Sequence, residues 1–364
     1  MTDEIHSRAG GPAAAAGSMI DITGVERAAL VLASVIIVAA LLSAGLILLL
    51  APWLKAYALA RPNARSSHRE PTPQGGGAAV IVATLAPAWL GAALTAGAID
   101  EAAGQFAAVT AGAVLLACVG AVDDMRGLPV VPRLVLQCAA VAIVIAALPA
   151  DLRVVPLLPW WLERACLLLG GLWFINLTNF MDGIDWMTVA EAVPMTGALV
   201  VIGVYGELPL LPLLAAAALL GAMLGFAPFN RPVAKLFLGD VGSLPTGLVL
   251  AWLLWHLAAR GHLAAALLLP LYYVADATLT LARRLSAGAA VWQAHRTHFY
   301  QRATDGGFAV SEVVTRVFLL NLALAALALL TVLRPGPVVG AVALALGAAV
   351  VAALLVSFAR GTRT

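Results

Sequence analysis

Long apolar runs separated by short polar connections set the pattern of this chain from residue 27 onward. A bilayer core of about 30 Å takes about 20 helical residues at about 1.5 Å each. Runs of that order predict about eleven spans, at 27–50, 78–98, 104–121, 134–149, 160–178, 187–205, 209–227, 241–259, 262–281, 312–333 and 337–358. No window alternates with the period of a membrane barrel strand, so helices carry the crossing. The expected fold is all-α, a polytopic transmembrane helical bundle of about 11 helices forming a single domain over 25–359. Residues 1–24, with the run "GGPAAAAGSM", read as a disordered tail rather than the basic start of a signal peptide, and 360–364 as a short C-terminal tail. Met1 and Met19 are both eligible as the start.

Composition agrees with this picture. The 364 residues are 62% hydrophobic and 11% charged, whereas soluble domains carry about 25% charged residues. A net charge of +2 gives no basic field for nucleic acid. Cys118, Cys138 and Cys166 lie inside apolar runs without CxxC spacing, and they read as small core or lipid-facing residues.

Charge position says more than charge sum. With eleven crossings, fifteen of the 21 Lys and Arg fall on one side: Lys55, Arg61, Arg65, Arg69, Arg126, Arg133, Arg231, Lys235, Arg283, Arg284, Arg296, Arg302, Arg316, Arg360 and Arg363. The positive-inside rule makes that side cytoplasmic, with the N-terminus outside and the C-terminus inside. The cytoplasmic loops are then 51–77, 122–133, 179–186, 228–240 and 282–311, and they hold nearly all the chemistry-bearing residues. A channel or carrier would also place polar groups through the middle of the bilayer.

Asp123 and Asp124 end an apolar helix, where two carboxylates repel each other and meet the negative end of the helix dipole. A magnesium ion bound with phosphates would compensate them; so would solvent and Arg126. Asn176, Asn179, Asp182 and Asp185 recur at three-residue spacing, which on helical turns makes one polar stripe. Such a stripe either binds a ligand or caps the helix end. In "LFLGDVGSLPTG", Asp240 stands where a helix opens beside Gly239 and Gly242, a place suited to phosphate with a metal alongside, or to a plain turn. His295 and His298 share a loop with Arg296 and Arg302. They suit a pyrophosphate clamp better than zinc, the alternative being an interfacial segment with snorkelling arginines. His68 and Arg69 precede "EPTPQGGG", which serves an anionic head group or a simple connection.

Five weak signals on one predicted side point to an enzyme at the inner face. Their order, "HREPTPQGGG" at 68–77, "DDMRGL" at 123–128, "NLTNFMDGID" at 176–185, "FLGDVGS" at 237–243 and "HRTH" at 295–298, resembles the polyprenyl-phosphate N-acetylhexosamine-1-phosphate transferase family, also called glycosyltransferase family 4. The resemblance runs from about 61 to 303. It implies transfer of a sugar 1-phosphate from a UDP-N-acetylhexosamine to undecaprenyl phosphate with release of UMP. The cofactor it implies is Mg²⁺, with Mn²⁺ as the alternative, and the place is the bacterial cytoplasmic membrane with the site facing the cytoplasm. By the same resemblance Asp123, Asp124 and Asp240 are catalytic, and Asp240, Asp182 and Asp124 are candidate metal ligands. Substrate binding falls to His68, Arg69, Asn176, Asn179, Asp182, Asp185, His295, Arg296, His298 and Arg302. Family members also form dimers, which makes a homodimer an expectation.

The last motif departs from the histidine-rich H-x-H-H of many members, because Phe299, Tyr300 and Gln301 follow His298. The form "HRTHFYQRA" looks like the branch that initiates O-antigen or capsule with 6-deoxy amino sugars, not the peptidoglycan enzyme. A lipid-linked-sugar or anionic-solute transporter is the alternative reading. Asp276, near the inner end of the ninth span, is the charge that it would call on.

Overall fold

The computed structural model describes residues 22–60, 71–95, 101–289 and 295–361. Among them thirteen helices follow in order: α1 (Ile22–Tyr57), α2 (Gly77–Leu94), α3 (Glu101–Arg126), α4 (Val130–Ala146), α5 (Trp160–Met181), α6 (Met187–Val204), α7 (Leu210–Phe226), α8 (Asp240–Ala259), α9 (Leu263–Leu268), α10 (Leu271–Ser286), α11 (Phe299–Asp305), α12 (Val310–Leu333) and α13 (Pro337–Arg360). Seven of these, α1, α2, α3, α6, α8, α12 and α13, are long and apolar enough to cross a membrane, and α4 and α7 are shorter apolar helices. The protein is a helical membrane bundle, as its apolar runs require.

Three details differ from the periodic reading. The span expected over 262–281 is two helices, α9 and α10, separated at Leu269 and Pro270; proline has no N–H for the helical ladder, so a break there is cheap. Within the loop expected over 282–311 lies the short helix α11. A two-residue antiparallel pair, β1 (Leu59–Ala60) with β2 (Thr72–Pro73), follows α1. Of the tail expected over 1–24, residues 1–21 lie outside the described residues and 22–24 open α1.

The bundle is built around α8. This helix is apolar on every side, which suits only a site with neighbours all round, and its whole apolar window is buried. It packs on α2, α3, α5, α7 and α9. Small residues let the backbones approach, as in other membrane helices. A Cβ on Gly77 would lie 2.1 Å from Gly242 Cα, so α2 and α8 meet glycine on glycine. A Cβ on Gly120 of α3 would lie 2.3 Å from the carbonyl carbon of Asp240. These contacts place the N-terminus of α8 directly against α3 and α2. Farther out, α1 packs on α7 and α2, and α12 packs on α6, α9 and α13.

At the opposite end, the 150–159 connection is tied by Glu163. This carboxylate is 1% exposed, and it accepts from Arg153 and from the amides of Val154 (2.6 Å) and Val155 (2.7 Å).

Candidate functional site

The ends of α3, α5 and α10 and the starts of α2, α6 and α8 gather at one end of the bundle, where all five sequence motifs meet, the first from residue 71 onward. The 71–77 segment runs beside 237–238: Phe237 N donates to Pro73 O (2.9 Å), Gly76 N to Phe237 O (3.0 Å) and Gly77 N to Leu238 O (2.8 Å). Gln74 Nε2 donates to Asp124 O (2.8 Å), which ties the glycine-rich segment to the paired aspartates. His68 and Arg69, expected at this mouth, lie outside the described residues.

Asp124 relieves part of its electrostatic problem. It ends α3, at the negative end of that dipole, yet its oxygens accept the Asp240 amide (3.1 Å) and the Val241 amide (3.2 Å). Those are orphan donors at the positive start of α8, so one carboxylate caps a second helix while leaving the first. Asp123 accepts the Leu128 amide (2.5 Å) and pairs with Arg133 Nη1 (2.7 Å). Arg126, the counter-ion that the sequence suggested, is exposed at the end of α3. Asp240 accepts from Asn179 Nδ2 (2.7 Å), which also donates to Ser243 Oγ (2.9 Å). The Asp123 and Asp240 carboxyl groups are themselves within hydrogen-bonding reach.

The polar stripe expected along 176–185 does not form, because α5 ends at Met181 and the four side chains diverge. Asn176 is buried and bonds Gln137 Oε1 of α4 (2.8 Å). Asn179 faces α8 and Asp240. Asp182 follows the last helical turn and accepts from Thr188 Oγ1 (2.5 Å). Burial, then the charges of Asp124 and Asp185, push its carboxyl up to about 7 against the pull of Thr188. Asp185 accepts the Ala234 amide (2.9 Å) and so fastens the 228–240 loop. Asn230 fastens it a second time, accepting the Trp186 amide (2.7 Å) and donating to Leu236 O (2.9 Å).

The histidine segment lies against the end of α5. Tyr300 Oη donates to Phe180 O (3.0 Å), and a Cβ on Gly183 would meet that hydroxyl at 1.9 Å. Burial holds the Tyr300 phenol well above its ordinary value, so it stays a donor. His298 stacks between His295 (ring centroids 5.0 Å apart) and Tyr300 (5.8 Å), with Phe180 at 6.4 Å. Arg296 pairs with Asp305 (3.1 Å), while Arg302 reaches Ala359 O (3.3 Å) and lies over Phe299 with Arg283. Thr188 joins the two clusters, bonding Asp182 on one side and Tyr273 Oη (3.4 Å) on the other.

Sequence patterns passed over several of these residues. Arg133, Gln74, Gln137, Asn230 and Thr188 are common residue types in unremarked positions, and no spacing rule marks them. Glu191 carried a signal that was available: it is an acid four residues inside an apolar span. It is buried and bonded to Asn321 Nδ2 of α12 (2.6 Å).

Magnesium is suited to this donor set by its chemistry. The candidate donors are hard carboxylate oxygens, and two carboxyl groups within reach of each other ask for a cation or a proton. Among the described residues no three His, Cys, Asp or Glu form a ready-made metal cage. Of the expected ligands, Asp124 gives both oxygens to amides, while Asp240 and Asp182 each accept one side-chain hydrogen bond, from Asn179 and Thr188.

Comparison with known proteins agrees with these motifs. Residues 106–258 match the sequence model of Glycosyl transferase family 4. The match includes Asp123, Asp124, the 176–185 segment and Asp240, and stops short of the histidine segment. The chain is 29% identical over 310 residues to the decaprenyl-phosphate N-acetylglucosaminephosphotransferase of Mycobacterium leprae, covering 76% of each chain. It is 25% identical over 301 residues to a probable undecaprenyl-phosphate N-acetylglucosaminyl 1-phosphate transferase of Bacillus subtilis, covering 79% of this chain and 82% of the relative. Similarity to the phospho-N-acetylmuramoyl-pentapeptide-transferase of Lactiplantibacillus plantarum is 36% over 107 residues, which is 29% of this chain and 33% of the relative.

Proposed function

We propose that this chain, which is similar over residues 106–258 to glycosyl transferase family 4 and over most of its length to prenyl-phosphate sugar-phosphate transferases, transfers an N-acetylhexosamine 1-phosphate from a UDP-sugar to undecaprenyl phosphate, releasing UMP. The observation that carries this reading is the meeting of Asp123, Asp124, Asn179 and Asp240, from three helices, at one polar end of an apolar bundle. A membrane lipid phosphate and a water-soluble nucleotide sugar can meet only at such an end.

The proposed step is direct displacement. An oxygen of the lipid phosphate attacks the β-phosphorus of the UDP-sugar, and the bond to the bridging oxygen breaks, leaving UMP with that oxygen. The lipid phosphate is mostly ionised at neutral pH, so the step demands positioning and charge compensation more than a base. Mg²⁺, or Mn²⁺, when bound would polarise the phosphoryl oxygens and offset their developing charge. Asp240 would hold it, with Asp123, Asp124 or Asp182 nearby. Asn179 orients Asp240, and Arg133, itself held by Asp123, is a cation for a phosphate oxygen. His295, Arg296, His298 and Arg302 would face the nucleotide sugar across the turn at 182–186. His68 and Arg69 would meet the lipid head group.

The site faces the cytoplasm of a bacterial inner membrane in this reading, where UDP-sugars are made, and the product begins a surface polysaccharide. The altered last motif favours a 6-deoxy amino sugar, while the names of two relatives favour N-acetylglucosamine. A homodimer is part of the proposal only through the family resemblance.

The test is UMP release by detergent-purified protein given undecaprenyl phosphate, Mg²⁺ and a panel of UDP-N-acetylhexosamines that includes 6-deoxy sugars. UMP formed only with both lipid and metal supports the transferase and ranks its donors. Folded protein that releases none across the panel removes this reading.

A further inference from the structure

We infer that Asp276 is a positioning residue that fixes the tautomer and direction of His298, an inference that rests on the transferase reading for its consequence in turnover. Asp276 lies on α10 and is fully buried. Its carboxylate accepts from the Phe299 amide (3.0 Å), the Tyr300 amide (3.2 Å), Tyr272 Oη (3.3 Å) and Thr280 Oγ1 (3.3 Å), and lies 3.2 Å from His298 Nδ1. Four donors and an imidazole nitrogen take the place of water around this buried carboxylate. Two of them are the first amides of α11, so the same group starts that helix and receives the imidazole of its N-cap residue.

Direction follows from valence. A carboxylate only accepts, so the contact with Asp276 calls for the hydrogen on His298 Nδ1, in competition with the Gln301 amide, which approaches the same ring in the α11 capping box and needs a bare nitrogen. Nε2 is then the nitrogen left to meet a substrate, as an acceptor in the neutral ring or a donor in the imidazolium. Stacking between His295 and Tyr300 prevents the ring from turning away. Tyr300 itself is anchored at both ends, by Asp276 at its amide and by Phe180 O at its hydroxyl. Asp276 therefore sets where Nε2 stands relative to the 182–186 turn. It needs no contact with substrate to do so, as with the acceptors that orient histidines in other sites.

Two measurements on the full-length protein test this. In kinetics with the UDP-sugar, Asp276→Asn should lower kcat/KM by about 10- to 100-fold, the usual cost of losing such a partner. In a His298→Ala background the same change should cost less than about 2-fold, because its target is gone. Equal losses in both backgrounds would mean that Asp276 only supports α11, and would overturn the inference. The second measurement is histidine ¹⁵N NMR of the wild-type protein in nanodiscs, with His298 assigned by its loss in His298→Ala. A hydrogen on Nδ1 is expected; a ring protonated on Nε2 alone would overturn the inference whether or not the variants fold. Wild-type protein that turns over no donor yet shows the Nδ1 hydrogen would count against the transferase reading and leave the placement of His298 standing.

Discussion

Asp240 shows how much one side chain can depend on its neighbours. It heads the most enclosed helix of the protein, beside two other aspartates, and holds one amide hydrogen bond from Asn179. Such crowding costs stability, because like charges close together disfavour the ionised state of each. Asp240→Asn should therefore lower turnover by about 100-fold or more, the scale of a lost electrostatic contact in a reacting site. Its thermal midpoint should stay level or rise, since one negative charge leaves the cluster. Near-normal turnover in this variant would remove Asp240 from the chemistry. Asn179→Ala takes away two hydrogen bonds, to Asp240 and Ser243. It should destabilise by about 1–3 kcal/mol, read as a lower midpoint in the same assay, and slow turnover without abolishing it.

At the scale of elements, the site exists because α8 is allowed to start very close to α3 and α2. Gly120 against Asp240 and Gly242 against Gly77 are places of close approach; every obstructing atom at Gly120 and the nearest one at Gly242 is a backbone atom that cannot rotate aside, with the Leu238 side chain next at Gly242. Gly120→Ala and Gly242→Ala should each cost about 1–3 kcal/mol, the usual penalty of overpacking, and should lower turnover by displacing Asp240. Gly197→Ala in α6 is the control, with open space where its Cβ would go. It should be neutral or gain up to about 1 kcal/mol from helix propensity. Equal midpoints for all three variants would mean that the close approach does not exist in solution.

Element boundaries also explain which polar residues the repeat of three could place. Three residues turn a helix by about 300°, so Asn176 and Asn179 point about 60° apart. With α4 and α8 both packed on α5, that offset sends Asn176 to Gln137 and Asn179 to Asp240. Likewise the short turn after α3 reverses the chain and brings Arg133, not Arg126, back to Asp123.

On the scale of the whole molecule, the polar end is expected to face the cytoplasm. The observation behind this is the one-sided distribution of Lys and Arg. In a background without Cys118, Cys138 and Cys166, Arg260→Cys in intact cells should react with an impermeant maleimide. Ser286→Cys should react only after lysis, and the opposite pattern would invert the orientation. Metal dependence is also a property of the assembled end rather than of one residue. EDTA should abolish UMP release and added Mg²⁺ or Mn²⁺ should restore it; full activity in EDTA would exclude the metal role given to Asp240.

By itself the sequence determined the solvent and the class of fold, because about twenty apolar residues in a row have one stable arrangement in a bilayer and no tertiary partner is needed to see it. It also marked Asp123, Asp124, Asn179, Asp182, Asp240 and His298, since polar groups at the ends of such runs stand out against their surroundings. What each marked residue does was decided by the tertiary structure. Asp124 caps a helix begun 116 residues later, Asp185 fastens a distant loop, and Asp276 holds the histidine segment that another helix carries. Hydrogen bonds are short and directional, so their partners depend on distances of a few tenths of an ångström between elements far apart in the chain. Apolar periodicity fixes which face of a helix is buried, and leaves open which neighbour that face will meet.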